Sequence, residues 1–592
     1  MCLTIMLAAA AGGCSSAAGR KPAQGKDPNE SLYGPPRPRA VVSSNGMVVA
    51  TSHEAARVGA RVLEEGGTAM DAAVATIFAL MPTDPSSVGP ASEVVLVFHP
   101  AHGADVVLDA PSFVPVRARP EELARMKRHH ELRGRKVSTV PTGIAVLGTA
   151  QERYGTWSFQ RVVAPAIEIA RRGIELSQYQ RMAMREYRTL IGADRDAASM
   201  LDFGPDGTVP DAGSRMIFPG LATTLERLAA AGWRDFYRGR LAGAIASDMS
   251  AHGGWILRSD LARVPRRVRA SAPVELDYRG HRVLLPGDPW GGGALKEAME
   301  ILRQFPPSLV DGDSTDHVHL MIEAVRLAQY DQLRLRRSSA YPVPSLGAGS
   351  WLTGAGALAK RIDFARKAPL PGPKTERSGV SGDRNTIHLD VVDRHGNAVS
   401  ATVTLGRFFG CHAGSPALGF FYNSLMESFQ FENPALPQYA QPLAGITSYL
   451  TPTIVLGKDG GMLLLGTGGS GSITSFVAEV LSNVLDRGMS LVEAVAHPRV
   501  AWTGPEERTV ELEAIPPLRP SMAAALRRRG FGNPLVIRYP ANIDDRAHMG
   551  GVNCAAFDPA TGRFTGVADP RREAFAVAPA RDGQRKEAGA KQ

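Results

Sequence analysis

Two threonine hydroxyls are predicted to face each other in the segment NTIHLDVVDRHGNAVSATVTL, residues 385–405. Apolar and polar residues alternate on both sides of Arg394-His395-Gly396, a pattern typical of a β-hairpin. A three-residue loop closed by glycine in the left-handed conformation fixes the register. The register pairs four sets of residues: Val392 with Ala398, Asp390 with Ser400, His388 with Thr402, and Thr386 with Thr404. Directly opposed side chains have Cβ atoms about 5 Å apart, so the last pair brings two hydroxyls together.

Thr386 has a setting that suits a nucleophile. It follows residues 367–384, KAPLPGPKTERSGVSGDR, whose Pro, Gly, Ser and charged residues predict an exposed connection. Cleavage of the Asn385–Thr386 bond would make Thr386 N-terminal. Its α-amine, with an unperturbed pKa near ~7.7–8.0, could then take the hydroxyl proton. The alternative is structural, because threonine favours strands and cross-strand threonine pairs support sheets.

A glycine-rich loop, GTGGSGS at residues 466–472, lies between a predicted strand at 462–465 and a predicted helix at 473–486. Such a loop offers backbone N–H groups to an anion. It is not a Walker phosphate loop, because no Lys-Ser/Thr follows the glycines. One interpretation is a tight strand-to-helix turn. The other is an oxyanion hole for an intermediate at Thr386.

Composition indicates a folded globular protein. The 592 residues are 44% apolar and 21% charged, and the length suggests two to four domains or one large assembly. The formal charge of +9 comes from arginines spread along the chain, with no basic run followed by a nucleic-acid motif. We therefore expect a basic surface and no nucleic-acid partner. No metal-ligand spacing is present, and no cofactor is expected.

The N-terminal MCLTIMLAAAAGGCSS is similar to a bacterial lipoprotein signal in which Cys14 is lipidated. Residues 1–38 are accordingly predicted to be a signal and tether, and the protein to be extracytoplasmic, in the periplasm or outer envelope of a bacterium. No Lys or Arg precedes the apolar run, so a misassigned start or a fortuitous match is the alternative. Cys411 and Cys554 are too few for a disulfide framework, although one bond between them stays open.

Strand and helix patterns alternate through the rest of the chain. Thr68 is predicted to cap a buried helix that is apolar nearly all round. The predicted strands span residues 47–50, 93–99, 105–108, 274–278, 281–285, 420–423, 453–456 and 462–465. Further helices are predicted at 159–172, 294–303 and 315–333.

Seven collinear segments resemble the γ-glutamyltransferase family of self-cleaving N-terminal-nucleophile amidohydrolases. They are VVATSHEAARVGARVLEEGGTAMDAAVAT at 48–76, VPTGIAVLGTAQERYG at 140–155, APAIEIARRGIELS at 164–177, LDYRGHRVLLPGDPWGGGALKEAMEIL at 276–302, NTIHLDVVDRHGNAVS at 385–400, TPTIV at 451–455 and ADPRR at 568–572. The resemblance implies a four-layer αββα sandwich of α+β class, shared by a large segment, 39–385, and a small segment, 386–592. It also implies a heterodimer of the two fragments, cut from one precursor.

The resemblance implies roles for the catalytic positions. Thr386 falls on the family's nucleophile, with cleavage after Asn385, and Thr404 falls on the threonine that supports it. Gly469 and Ser470 fall on the oxyanion-hole pair, where the family has Gly-Gly. Serine keeps the backbone N–H but limits the allowed dihedral angles.

The substrate-binding positions depart from the family. The family's arginine for the glutamyl carboxylate is missing from residues 108–112, LDAPS. Its amine-binding Asp falls on Ser428, with Glu427 as a shifted substitute. Of its Ser-Ser pair, Ser448 remains and Tyr449 replaces the second member. Losing an Arg–carboxylate contact and a buried ammonium pair, each worth ~2–5 kcal/mol, should weaken γ-glutamyl binding.

We therefore expect a small-molecule acyl-amide or γ-glutamyl-type substrate. A more apolar pocket is predicted around Ala110, Pro111, Leu425 and Tyr449. The leading interpretation is an enzyme that forms an acyl-enzyme on Thr386. The alternative is a non-catalytic or merely self-processing member that acts as a binding or structural protein.

Overall fold

The computed structural model describes residues 37–310, 312–336, 353–370, 385–436, 438–504, 509–516, 518, 520–539 and 549–580. Cys14 and residues 371–384, just before the predicted cleavage site, lie outside this range. Among the helices of the described residues, none combines the length and apolar character that crossing a bilayer requires.

Twenty-one strands are present in the described residues. In chain order they are β1 Ala40–Ser43, β2 Gly46–Ala50, β3 Glu93–His99, β4 Val106–Asp109, β5 Ile174–Glu175, β6 Arg215–Met216, β7 Arg269–Ser271, β8 Val274–Tyr278, β9 His281–Leu285, β10 Asn385–Asp393, β11 Ala398–Gly406, β12 Gly414–Ser415, β13 Phe420–Phe421, β14 Thr453–Leu456, β15 Met462–Gly466, β16 Val500–Trp502, β17 Val510–Glu513, β18 Leu535–Ile537, β19 Asn553–Asp558, β20 Arg563–Val567 and β21 Phe575–Val577.

The α-helices of the described residues vary widely in length. They are α1 His53–Glu64, α2 Ala69–Thr83, α3 Pro120–Arg128, α4 Gly143–Tyr154, α5 Phe159–Arg172, α6 Gln178–Glu186, α7 Arg188–Gly192, α8 Arg195–Met200, α9 Pro219–Ala231, α10 Asp235–Arg238, α11 Arg240–Ala251, α12 Arg258–Leu261, α13 Gly292–Leu302, α14 Pro307–Val310, α15 Thr315–Arg336, α16 Ala355–Ala359, α17 Ile473–Leu485, α18 Leu491–Ala496 and α19 Pro520–Arg528.

Two seven-stranded sheets form the centre of the molecule. Sheet I has the order β1-β20-β19-β15-β14-β9-β8, and sheet II has the order β21-β2-β10-β11-β3-β4-β7. The sheets face each other through β10, β11, β15 and β19, while α1, α2 and α4 cover sheet II and α13 and α17 cover sheet I. The predicted four-layer αββα sandwich is confirmed. Strands from before and after residue 385 interleave in both sheets, so neither segment forms a sandwich by itself.

The hairpin β10–β11 has the predicted register. Thr386 pairs with Thr404, and the three inner pairs follow as counted from the sequence. Gly396 closes the turn with φ of 91°. A bulge at the start of β10 pairs Asn385 with Gly406, so the strand begins one residue earlier than predicted.

Both faces of the hairpin are buried. The apolar face contributes Ile387, Leu389 and Val391 to the core against the helices. The polar face lies between the sheets, where His388 makes 2.9 Å hydrogen bonds with Thr402 and with Asp390. Hydrogen bonds among these polar side chains offset part of the cost of burying this face, although Asp390 Oδ2 has no partner among the described residues.

Several other predictions are confirmed or corrected. Thr68 caps α2 with a capping box, and every residue of α2 is buried. The predicted strand at 420–423 ends at Phe421, and the Asn423 side-chain amide donates to the carbonyls of Ala91 and Thr139. Cys411 and Cys554 are free, buried thiols.

Candidate active site

Three groups around Thr386 form a chain of hydrogen bonds. The Thr386 hydroxyl donates to the Thr404 hydroxyl at 3.1 Å, and the Thr404 hydroxyl donates to the Asn385 carbonyl oxygen at 2.7 Å. The Gly406 N–H donates to the Thr404 oxygen at 2.8 Å. All the side chains of this chain are almost completely buried. Thr404 therefore contacts both the predicted nucleophile and the carbonyl of the bond predicted to break.

Asn385 is fixed by its side chain. Its amide nitrogen donates to the Ser87 hydroxyl at 2.6 Å, and the Ser87 hydroxyl donates to Asp84 at 2.8 Å. The Arg572 guanidinium donates to the Asn385 side-chain oxygen at 3.2 Å and to the Thr386 carbonyl at 2.8 Å. One arginine therefore holds both residues of the predicted cleavage site.

No role was predicted for Arg572 from the sequence. The one feature of the sequence that could have indicated a role for Arg572 is its position in the matched segment ADPRR. Its neighbour Arg571 is buried in an ionic network with Glu513 and Asp569. A motif alone cannot show that one arginine holds the core together while the next reaches the cleavage site.

The glycine-rich loop passes directly over Thr386. A Cβ atom on Gly468 would lie 2.0 Å from the Thr386 carbonyl oxygen, so only glycine allows this approach. Gly469 has φ of 127° and Ser470 has φ of 52°, both in the left-handed region. Ser470 precedes α17, whose N-terminal end carries partial positive charge. The loop therefore lies close to Thr386, and its Ser470 borders the same cavity as Thr386.

A cavity of about 120 Å³ borders Thr386, Thr404 and Ser470. All four predicted substrate-binding residues lie on its wall: Glu427, Ser428, Ser448 and Tyr449. A larger cavity of about 740 Å³ reaches Asn385 from the other side and is bordered by Asp84 and Arg572. The smaller cavity is the candidate active site, because it contains the nucleophile and the loop.

The prediction of an apolar pocket around Ala110 and Pro111 is wrong. Neither residue lies on the cavity wall, although Leu425 and Tyr449 do. The wall instead includes two arginines, Arg336 and Arg407, together with Gln329, Gln332, Gln430 and Gln438. These residues were not predicted from the sequence, because they come from α15 and from the loops after β11 and β13.

Glu427 forms an ion pair with Arg407. Arg407 Nε lies 2.8 Å from Glu427 Oε2, and both side chains are largely buried. A substrate ammonium would therefore compete with Arg407 for this carboxylate. The Asp109 carboxylate also has partners in the protein. Arg269 donates two hydrogen bonds to it, at 2.6 and 2.8 Å, and the Trp290 indole donates one at 2.7 Å.

A buried acid, Glu93, lies beside the chain of hydrogen bonds that joins Thr386, Thr404 and Asn385. Glu93 on β3 pairs with Thr404 on β11. Its Oε1 accepts the Ser112 N–H at 2.8 Å. Burial, reinforced by the nearby charge of Asp109, raises the pKa of Glu93 to about 7 against the opposing Ser112 hydrogen bond. Glu93 therefore titrates near neutral pH.

The two facing sheets between helices, with a threonine near a strand start beside a glycine-rich loop, define the class of N-terminal-nucleophile hydrolases. The chain belongs to the gamma-glutamyltranspeptidase family, whose model matches residues 55–578. It is similar to the Acylase ACY 1 proenzyme of Pseudomonas sp. (strain V22), with 31% identity across 91% of this chain and 94% of that protein. It is also 30% identical to the glutathione hydrolase proenzyme of Pseudomonas sp. (strain A14), across 90% of this chain and 94% of that protein.

A solved structure shares the whole architecture. The cephalosporin acylase from Bacillus halodurans superposes with a TM-score of 0.77 at 24% identity, covering 95% of this chain and 99% of the other. At this identity the likeness supports the fold alone. The family resemblance and the fold predicted from the sequence are both confirmed, and the chain is an enzyme of the gamma-glutamyltransferase type.

Proposed function

We propose that the chain cleaves itself between Asn385 and Thr386 and then hydrolyses small acyl-amides through an acyl-enzyme on Thr386. The observation that supports this proposal is the hydrogen-bond chain from Thr386 through Thr404 to the Asn385 carbonyl. It joins a nucleophile, a polarising hydroxyl and a target carbonyl. Both relatives described above are named as proenzymes, which agrees with a precursor that is processed.

The first stage is cleavage of the chain. The Thr386 hydroxyl oxygen attacks the Asn385 carbonyl carbon, the C–N bond breaks, and the Thr386 nitrogen takes the hydroxyl proton. The Thr404 hydroxyl stabilises the negative charge that develops on the Asn385 oxygen. The Thr386 amine is free once the C–N bond breaks. Water then hydrolyses the ester, which regenerates the Thr386 hydroxyl and leaves the part of the chain that ends at Asn385 and residues 386–592 as a heterodimer.

The second stage acts on the substrate. The free Thr386 amine takes the hydroxyl proton while the oxygen attacks the substrate amide carbonyl. The backbone N–H groups of Gly469 and Ser470 stabilise the oxyanion. The C–N bond breaks, and the leaving amine takes the proton. Water, or an acceptor amine, attacks the acyl-enzyme and regenerates Thr386.

The substrate is an acyl-amide of the kind that the name of the acylase relative suggests. Glutathione-type γ-glutamyl substrates are disfavoured, because Glu427 is engaged with Arg407 and residues 108–112 contain no arginine. Attachment to the envelope through Cys14 is part of the proposal and rests on the N-terminal sequence alone.

Denaturing electrophoresis and N-terminal sequencing test the first stage. The purified wild-type protein should give two fragments, the smaller starting at Thr386, and Thr386→Ala should stay whole. A panel of acyl-p-nitroanilides tests the second stage. An intact wild-type chain would contradict the mechanism. Two fragments without amidase activity would instead favour a non-catalytic, self-processing protein.

A further inference from the structure

The side chain of Asn385 lies on the side of β10 that is turned away from the active-site cavity. It borders the cavity of about 740 Å³ together with Asp84, Ser87 and Arg572. Thr386, the next residue, borders the cavity of about 120 Å³ on the other side. The groups that bind the Asn385 side chain are therefore separate from the cavity that takes the substrate.

Both polar atoms of the Asn385 side chain have partners. The amide nitrogen donates to the Ser87 hydroxyl at 2.6 Å and to the Ser86 carbonyl at 3.3 Å. The amide oxygen accepts a hydrogen bond from the Arg572 guanidinium at 3.2 Å. Two acceptors therefore face the nitrogen and a donor faces the oxygen, an arrangement that fits a side-chain amide.

Asp84 determines the direction in which the Ser87 hydroxyl points. A carboxylate only accepts hydrogen bonds, and Asp84 Oδ1 accepts one from the Ser86 hydroxyl and one from the Ser87 hydroxyl, each at 2.8 Å. Burial raises the pKa of Asp84, and the two serine hydrogen bonds and the charge of Arg572 oppose that rise. Because the single Ser87 proton is directed at Asp84, the Ser87 oxygen accepts from Asn385.

The turn that carries Asp84 and Ser87 is fixed by the rest of the fold. It follows α2, every residue of which is buried. The N–H groups of Ser87 and Val88 both donate to the Asp84 carbonyl at 3.0 Å, and the Thr51 hydroxyl donates to Asp84 Oδ2 at 3.2 Å. The acceptors for the Asn385 amide are therefore held in place by contacts that do not involve Asn385.

We propose that Asp84 and Ser87 are positioning residues that make self-cleavage specific for asparagine at position 385. This inference rests on the proposed function, because Asn385 supplies the carbonyl that Thr386 attacks. A carboxylate in place of the amide has the same size, and one of its oxygens can still bind Arg572. Its other oxygen would face two acceptor oxygens with no proton between them. The carbonyl of residue 385 would then be displaced from the Thr386 hydroxyl.

A pair of exchanged side chains tests the proposal. Asn385→Asp should be cleaved at least about tenfold more slowly than the wild-type chain, because two hydrogen bonds are lost. Adding Asp84→Asn frees the Ser87 proton to bind the new carboxylate, so the double variant should be cleaved at least about threefold faster than Asn385→Asp alone. The measurement is precursor loss with time on denaturing gels. Wild-type cleavage of Asn385→Asp, or no rescue in the double variant, would overturn the proposal.

Matched variants separate positioning from general stability. Asp71, at the other end of α2, is also buried and accepts hydrogen bonds from Thr68 and Gln151. Asp71→Asn should therefore give no rescue of Asn385→Asp.

The two serines of the turn form a second matched pair. Ser87→Ala removes the acceptor of the Asn385 amide and should slow cleavage about tenfold. Ser86→Ala removes a hydroxyl that also donates to Asp84, but it leaves the Ser86 carbonyl in place, so it should slow cleavage less. Equal losses in the two serine variants would contradict the role of Ser87.

Unfolding measurements keep this inference separate from the proposed function. In a Thr386→Ala chain, which is expected to stay whole, Asn385→Asp should lower the urea midpoint of unfolding, and adding Asp84→Asn should restore part of that loss. If the wild-type chain is not cut but the midpoints show this pattern, the proposed function fails and the recognition of Asn385 stands. If the wild-type chain is cut and Asn385→Asp is cut equally fast, the recognition alone is wrong.

Discussion

The Thr404 hydroxyl donates a 2.7 Å hydrogen bond to the carbonyl oxygen of Asn385 and accepts one from the Thr386 hydroxyl at 3.1 Å. Because β10 and β11 fix this contact by their register, the geometry exists as soon as the hairpin forms. Negative charge develops on the Asn385 oxygen during attack by Thr386. The Thr404 hydroxyl is therefore placed where a hydrogen bond strengthens in the transition state.

Thr404→Ala should slow cleavage of the chain about hundredfold, because removing one donor to an oxyanion typically costs a factor of 10²–10³. Thr404→Ser keeps the hydroxyl and should be cleaved much faster than the alanine variant. The measurement is a time course of precursor loss on denaturing gels. Cleavage of Thr404→Ala at the wild-type rate would show that another group polarises Asn385.

The two arginines of ADPRR should give different phenotypes. Arg572→Gln loses the bonds to Asn385 and Thr386, so cleavage should slow at least about tenfold while the protein stays folded. Arg571→Gln removes the cation paired with buried Glu513 and leaves Asp569 with Arg499 as its remaining ionic partner, which should lower the free energy of unfolding by about 3–5 kcal/mol. Chemical denaturation and precursor half-life, measured on both variants, separate the two effects.

The glycine-rich loop offers a matched pair of substitutions. Gly468→Ala would place a Cβ 2.0 Å from the Thr386 carbonyl. The loop must then move, so we expect loss of cleavage and destabilisation by about 1–3 kcal/mol. Ser470→Gly keeps the backbone N–H and relieves a left-handed serine. It should retain activity and change stability by no more than about 1 kcal/mol. A tolerated Gly468→Ala would contradict the close approach of loop and strand.

Local chemistry explains which features the sequence could predict. Gly396 in the turn sets the pairing of Thr386 with Thr404, and Thr68 sets the start of α2, since each signal lies within a few residues of its effect. The two facing sheets were predicted from the family resemblance, because strand order depends on contacts between distant segments.

Long-range contacts explain what could not be predicted. Arg572 and Thr386 are 186 residues apart, and no turn or period in the sequence connects them. The cavity wall also joins residues that are distant in the sequence, because Arg336 belongs to α15 and Arg407 follows β11. On a helix, Gln332 and Arg336 have the pattern of a solvent-exposed face. Only the packing of α15 beside Thr386 turns that face into a cavity wall.

Glu93 should make the stability of the protein depend on pH. Its pKa is about 7 in the folded chain, above the ordinary value of 4.5, because burial disfavours the carboxylate. The folded state therefore holds the proton more tightly than the unfolded state does. The contribution of Glu93 to the free energy of unfolding is fully present below pH 4.5. It is lost as the pH rises through about 7, which lowers the free energy of unfolding by an amount on the order of 3 kcal/mol.

Glu93→Gln removes this titration and keeps an oxygen acceptor for the Ser112 N–H. The variant should match the wild-type protein in stability near pH 4.5 and exceed it by up to about 3 kcal/mol at pH 8. Urea denaturation of both proteins at several pH values between 4.5 and 8 measures this difference. Glu121→Gln, at an exposed position of α3, is the control and should show no such trend. A difference between Glu93→Gln and wild type that does not change with pH would mean that Glu93 stays in one protonation state throughout this range.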